Sequence, residues 1–96
     1  MYARFFNFKV NPSRRSEVET LADQAFGIMK TLKGFVSVHF IVSEDESECG
    51  TFSLWETRDD AETAGASLRS RIGEALEKIV NGPPKQQIFE VYKPKS

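Results

Sequence analysis

One order of signals occurs twice along this chain, and it leaves few folds open. Each half reads as an apolar strand, a capped helix, a glycine and a second strand. "YARFFNFKV", residues 2–10, opens the first half as a strand. In "NPSRRSEVETLADQAFGIMKTLKG", Asn11 is an N-cap and Pro12 suits the first helical position, where its missing N–H costs nothing. Val18, Leu21, Ala22, Ala25, Met29 and Leu32 recur at helical spacing, and Gly34 is placed to take the left-handed conformation that stops a helix. "FVSVHFIV", residues 35–42, is β-branched and aromatic and reads as the second strand. An acidic turn, "SEDESECG", joins it to a third strand, "TFSLW", at residues 51–55.

Thr57 caps the second helix, with Asp59 and Asp60 in its first turn, where carboxylates favour the positive end. Its stripe runs from Ala61 through Ala64, Leu68, Ile72, Ala75, Leu76 and Ile79, and Gly65 and Gly73 weaken it, so a kink or break is expected near Gly65. "NGPP" ends this helix, and "QQIFEVY", Gln86 to Tyr92, is the fourth strand. Right-handed crossovers turn this order into a four-stranded antiparallel sheet with both helices on one face, the α+β ferredoxin-like βαββαβ arrangement, as one domain over residues 1–96.

That arrangement covers one face of the sheet, yet both alternation sets of the strands are apolar. Phe6 and Phe8 share a face, and Phe5 lies on the other with Ala3 and Asn7. Ile41 opposes Val36, Val38, Phe40 and Val42; Phe52 and Leu54 oppose Trp55; Ile88 opposes Phe89 and Val91. Burying one such side chain is worth about 1.5–3 kcal/mol. The expectation is a homodimer packed sheet on sheet, an α+β barrel, with Phe5 in the interface and Phe6 and Phe8 in the helix-side core.

Composition removes several function classes. Thirteen basic and 14 acidic residues give a formal net charge of -1, which lacks the basic footprint of a nucleic-acid or anionic-membrane surface. The single cysteine, Cys49, permits no internal disulfide and suits a reducing compartment; with no signal-like or membrane-spanning run, a cytoplasmic protein is expected. One histidine and one cysteine make no metal cluster, the run Glu44, Asp45, Glu46, Glu48 lacks calcium-loop spacing, and there is no phosphate loop or nucleophile elbow. No metal, heme or flavin is therefore expected. Aromatics on strands one and three would suit an RNA-recognition sheet, with Phe5 and Phe52 as stacking residues. The acidic hairpin and the missing basic-glycine-aromatic signature argue against it.

"FFNFKVNPSRRSEVETLADQ", "GFVSVHFIV", "SLWETRDDAETA" and "PPKQQIFEVY" together resemble the antibiotic-biosynthesis-monooxygenase-like family of dimeric α+β barrels over essentially the whole chain. The resemblance implies a cofactor-free oxygenase acting on a planar phenolic or quinol-like molecule. The alternative it leaves open is a noncatalytic small-ligand-binding or regulatory dimer. Heme-degrading relatives carry an asparagine on strand one and a tryptophan and histidine on helix two. Here helix two has neither, and Phe6 holds the asparagine position counted back from Pro12, which argues against heme chemistry.

The family's oxygenases use asparagine, tryptophan, tyrosine and arginine side chains; Asn7, Trp55, Tyr92 and Arg4 stand on strands of this sequence. His39 is the side chain whose ordinary pKa suits a base near neutrality, although a hydrogen-bonded histidine at the dimer face would look the same. The catalytic candidates are thus Asn7, His39, Trp55 and Tyr92. A pocket for a small apolar or aromatic ligand is expected between sheet and helices. Its candidate binding residues are Arg4, Phe6, Phe8, Ala22, Ala25 and Ala64, because the small helical residues Ala22, Ala25, Ala64 and Gly65 facing a sheet leave room.

Overall fold

The computed structural model describes residues 1–95. Strand β1 (Tyr2–Lys9) is followed by a single 3-10 turn (Pro12–Arg14) and helix α1 (Arg15–Met29). Strands β2 (Phe35–Val42) and β3 (Glu48–Trp55) then form a hairpin, and helix α2 (Arg58–Glu77) leads to strand β4 (Lys85–Glu90). The sheet order is β2-β3-β1-β4, and every pairing is antiparallel. This is the α+β ferredoxin-like arrangement that the two half-patterns predict.

Several local signals act a few residues from where the sequence sets them. Asn11 does cap, its side chain accepting from the Ser13 N–H, but Pro12 starts the 3-10 turn and the α-helix begins only at Arg15. Helix α1 closes at Met29; Gly34, at φ 81°, instead turns the chain into β2, where a Cβ would land on the Asp60 carboxylate. Thr57 caps α2, its hydroxyl accepting from the Asp60 N–H. No break occurs at Gly65: α2 runs unbroken through it to Glu77, because packing on the sheet outweighs the weak propensity of one glycine.

The acidic turn is shorter than the sequence suggests, since Glu48, Cys49 and Gly50 are already in β3, paired with Lys9, Phe8 and Asn7. Asp45 organises what remains of it, accepting from the Ser43 and Ser47 hydroxyls and the Ser47 N–H. Those bonds, the Ser47 hydroxyl foremost, hold its carboxyl down to about 2.

Register assigns each side chain to a face. Arg4, Phe6 and Phe8 face the helices together with their β3 partners Ser53, Thr51 and Cys49. Ala3, Phe5 and Asn7 face the open side with Leu54, Phe52 and Gly50. The parity of strand one is as its sequence predicts. A register shift between Phe35 and Ser37 sets Phe35 beside Trp55, ring centroids 5.5 Å apart, where strict alternation would have put it with Ser37, His39 and Ile41.

The helix-side core is divided. One cluster joins Ala25, Ile28 and Met29 of α1 to Trp55 and to Ala61, Ala64 and Leu68 of α2. A second, at the other end of the sheet, joins Phe8, Val10, Val18, Cys49 and Ile79. On the open face no helix lies over the sheet, and Ile41, Phe52 and Phe89 are 43%, 40% and 42% exposed.

Gly50 is where the sheet tolerates least. A Cβ there would strike the backbone carbonyl oxygen of Phe6 and lie 3.0 Å from Asn7 Cα and Cβ. The β1–β3 ladder can relieve that only by separating. Gly50→Ala is expected to destabilise the protein by about 1–3 kcal/mol, the usual range for overpacking a rigid site. Denaturant unfolding checks this, and parent-like stability would contradict the close approach.

Candidate functional site

Between the two core clusters the helices and the sheet enclose a cleft of about 440 Å³. Ala25, Met29 and Leu68 of the first cluster form one wall, and Phe8, Val18 and Cys49 of the second form the other. Phe6 is the floor, and Leu21, Ala22, Ile72 and Leu76 come from the facing helices. Phe40 and Val42, at the free edge of β2, overhang the mouth and are 37% and 38% exposed. The small side chains at 22 and 25, with Gly65 and Gly73 opposite, leave volume that larger residues would fill.

One of the cations lining this cleft is buried. Arg4 is only 5% exposed, and no carboxylate among the described residues lies within ion-pair distance of it. Its Nη2 donates to Gln86 Oε1 at 2.8 Å, and its guanidinium carbon stands 5.1 Å from the centre of the Phe6 ring. Burial, then the positive charge of Arg69, lowers its pKa to about 10. Arg4 is therefore still a cation at neutral pH. Keeping it charged there costs on the order of 3 kcal/mol, a shift of one pKa unit being about 1.4 kcal/mol.

Gly65 lies directly over this placement. A Cβ there would lie 3.0 Å from Arg4 Nε and 3.3 Å from Nη2, so the bare backbone of α2 lets the guanidinium lie close beneath the helix without shifting. The feature that reads in sequence as a helix weakness thus accommodates the site.

A second polar group in the wall has no partner. Thr51 is 9% exposed, and its Oγ1 is buried without a hydrogen bond. Thr51, Phe6 and Gln86 form one row across β3, β1 and β4, and Arg4, one row along, leans over it. Buried hydroxyls and guanidinium N–H groups are nearly always satisfied in folded proteins, so this pair marks the end of the cleft where a polar ligand atom is expected. Cys49 is no rival centre, because burial pushes its thiol up and keeps it protonated.

Of the expected site residues, Arg4, Phe6, Phe8, Ala22 and Ala25 line the cleft. Ala64 does not; it is wholly buried between Trp55 and Leu68, and its neighbour Gly65 faces the space instead. The structure does not bring Asn7, His39, Trp55 and Tyr92 to the cleft. Asn7 is on the open face, its Nδ2 donating to Glu48 Oε2 at 2.8 Å. His39 is exposed on that same face opposite Phe52. Trp55 is fully buried in the first cluster, its indole N–H donating to Ser53 Oγ at 2.9 Å. Tyr92 lies past the end of β4, 74% exposed, so the fourth strand is shorter than the sequence suggests.

Thr51, Gln86, Arg69 and the rim residues Phe40 and Lys85 are site residues that sequence reasoning passes over. Strand parity carries the signal for Thr51: counting back by twos from the inward Trp55 passes Ser53 and reaches it. Among the described residues no cluster of His, Cys, Asp and Glu is placed to hold a metal ion. No described helix is long and apolar enough to cross a membrane.

The fold is like that of antibiotic biosynthesis monooxygenases of known structure. A monooxygenase from the ActVA-Orf6 gene of Streptomyces coelicolor, solved with the ligand nanaomycin D, superposes at a TM-score of 0.80. It is 23% identical, over 99% of this chain and 90% of its own. SnoaB, a cofactor-independent oxygenase from Streptomyces nogalater, gives a TM-score of 0.78 at 18% identity, over 97% of this chain and 95% of its own. NE2512, a protein of unknown function from Nitrosomonas europaea, gives 0.79 at 13% identity, over 99% and 92%. No family model and no curated protein matches the sequence.

Proposed function

We propose that the protein is a cofactor-independent monooxygenase that binds a planar phenolic or quinol-like molecule in the cleft. The observation that carries this reading is the buried Arg4 guanidinium, without a carboxylate partner, in a largely apolar space of about 440 Å³ lined by Phe6, Phe8 and Phe40. Such a site suits a ligand with a flat apolar body and one oxygen that becomes anionic. Similarity of fold to SnoaB and to the ActVA-Orf6 monooxygenase supports the chemistry. In that chemistry the deprotonated substrate itself reduces dioxygen. One oxygen atom replaces two hydrogens on the ring carbon as a carbonyl, and the other leaves as water with those two hydrogens. The protein then has to exclude bulk water, hold the ring and stabilise the anion. A cytoplasmic location belongs to the same reading, supported by the lone unpaired cysteine.

A noncatalytic ligand-binding protein is the second reading, and one observation favours it. The cleft wall contains no histidine, tyrosine, tryptophan, asparagine or aspartate among the described residues. A panel of anthrones and hydroquinones, assayed for oxygen uptake beside thermal stabilisation, separates the two. At least one planar phenol should both raise the melting temperature and drive oxygen uptake without added metal or flavin. Stabilisation without uptake would leave a binding protein, and neither response would remove the ligand site altogether.

The working unit is proposed to be a homodimer closed through the open sheet face. Phe5, Ile41, Phe52, Leu54 and Phe89 share the open face of the sheet, and Ile41, Phe52 and Phe89 are exposed there, an apolar surface of the kind that marks an interface. A second copy, presenting the same face about a two-fold axis, would bury it. Sedimentation at micromolar concentration should give twice the 10.9 kDa chain mass. Phe5→Glu, which puts an unpaired charge in the interface, should give the monomer. A parent protein that sediments at the chain mass would contradict the dimer.

A further inference from the structure

The reading of the cleft as a ligand site, on which this inference rests, leaves open how the ligand loses its proton. Two buried polar groups at one end of the cleft have capacity to spare. Arg4 has five N–H donors, of which one is used, on Gln86. The Thr51 hydroxyl has none of its hydrogen bonds made. Arg4 and Thr51 are diagonal neighbours across the β1–β3 ladder, in the row geometry where Cα atoms lie roughly 7–8 Å apart. Both project from the helix-facing side of adjacent strands into the same cleft.

The same wall is poor in bases. Its carboxylates are Glu19 of α1 and Glu77 of α2, both exposed. Glu19 is held by Arg15 Nε at 2.8 Å. The remaining ionisable groups around the cleft are cationic, Arg15 of α1, Arg69 of α2 and Lys85 of β4, apart from the protonated Cys49 thiol of β3. On the next row of the sheet, Glu90 pairs with Tyr2 and is absent from the cleft wall.

We propose that Arg4 and Thr51 form an oxyanion seat that takes the ligand as its anion, the ligand's O–H proton passing to solvent and not to a side chain of the cleft. The O–H bond breaks, its electron pair stays on the ligand oxygen, and a water at the mouth carries the proton away. The class of ligand is a flat aromatic with an acidic hydroxyl at one edge. Anion selection then comes from the guanidinium, with the Thr51 hydroxyl donating the second hydrogen bond.

The probe is 2-hydroxyanthraquinone, whose phenolate absorbs to the red of its phenol, titrated against the protein across pH, with 2-methoxyanthraquinone as the neutral control. The bound dye is expected to ionise about one pH unit or more below the free dye, so that the anion binds at least about tenfold more tightly than the phenol. Arg4→Met should abolish that shift, keep its affinity for the methoxy compound, and melt no lower than the parent, since it removes an unpaired buried charge. Thr51→Val, which keeps the shape and removes an unpaired hydroxyl, should fold normally and reduce the shift by about half. A dye that ionises at or above its free value, or a full shift in either folded variant, would overturn the proposal. A lowered dye pKa with no oxygen uptake from any anthrone would leave the seat standing and remove the oxygenase activity.

Discussion

Arg4 is a charge buried where the fold gives it no counter-charge, and much of the helix-side architecture is arranged around that fact. A buried cation without a partner is among the more expensive features a small domain carries, several kcal/mol per ion in real interiors. Here three local features reduce the cost without removing it. Gln86 accepts one hydrogen bond, the Phe6 ring offers its face at 5.1 Å, and Gly65 withdraws its side chain so that the guanidinium can lie beneath α2. None of them neutralises the charge. Stability alone would favour a methionine or leucine on strand one at this position.

The divided core follows from the same constraint. Large aromatics sit at the two ends of the helix-side face, Trp55 with Phe35 at one and Phe8 at the other. Between them the helices present Ala22, Ala25, Gly65 and Gly73, too small to meet over the sheet. Larger side chains at those places would fill that space. The gap instead joins the guanidinium and the Thr51 hydroxyl to a space of about 440 Å³ walled by apolar side chains. Its position, between sheet and helices, comes from the fold; its polarity at one end comes from residues 4 and 51.

The fold was legible in the sequence because its signals are local and redundant. Strand alternation, the Asn11 and Thr57 caps and the two glycine stops each point to the same topology. Boundaries were less legible where one residue type serves two purposes. Gly34 reads as a helix stop and acts as the entry to β2, Gly65 reads as a kink and acts as clearance for Arg4, and Glu48 reads as turn and acts as strand. The site was legible only for the residues that strand parity and small size mark, Arg4, Phe6, Phe8, Ala22 and Ala25. Chemistry-bearing residue types do not mark the cleft: Asn7 and His39 fall on the open face by the same parity, and Trp55 is anchored by Ser53 in the core. Gln86 was invisible because its role depends on which strand lies beside β1, a long-range fact that no local pattern carries.

The central claim is that the Arg4 end of the cleft receives the oxygen of a flat ligand. A crystal structure of the protein soaked with a hydroxyl-bearing anthraquinone tests it most directly. The account predicts ring density between Phe6 and the helices, with the ligand oxygen at hydrogen-bond distance, about 2.7–3.0 Å, from both an Arg4 Nη and Thr51 Oγ1. A ring bound outside the cleft, a ligand oxygen turned toward the mouth, or an Arg4 found paired with a carboxylate of its own chain would contradict it.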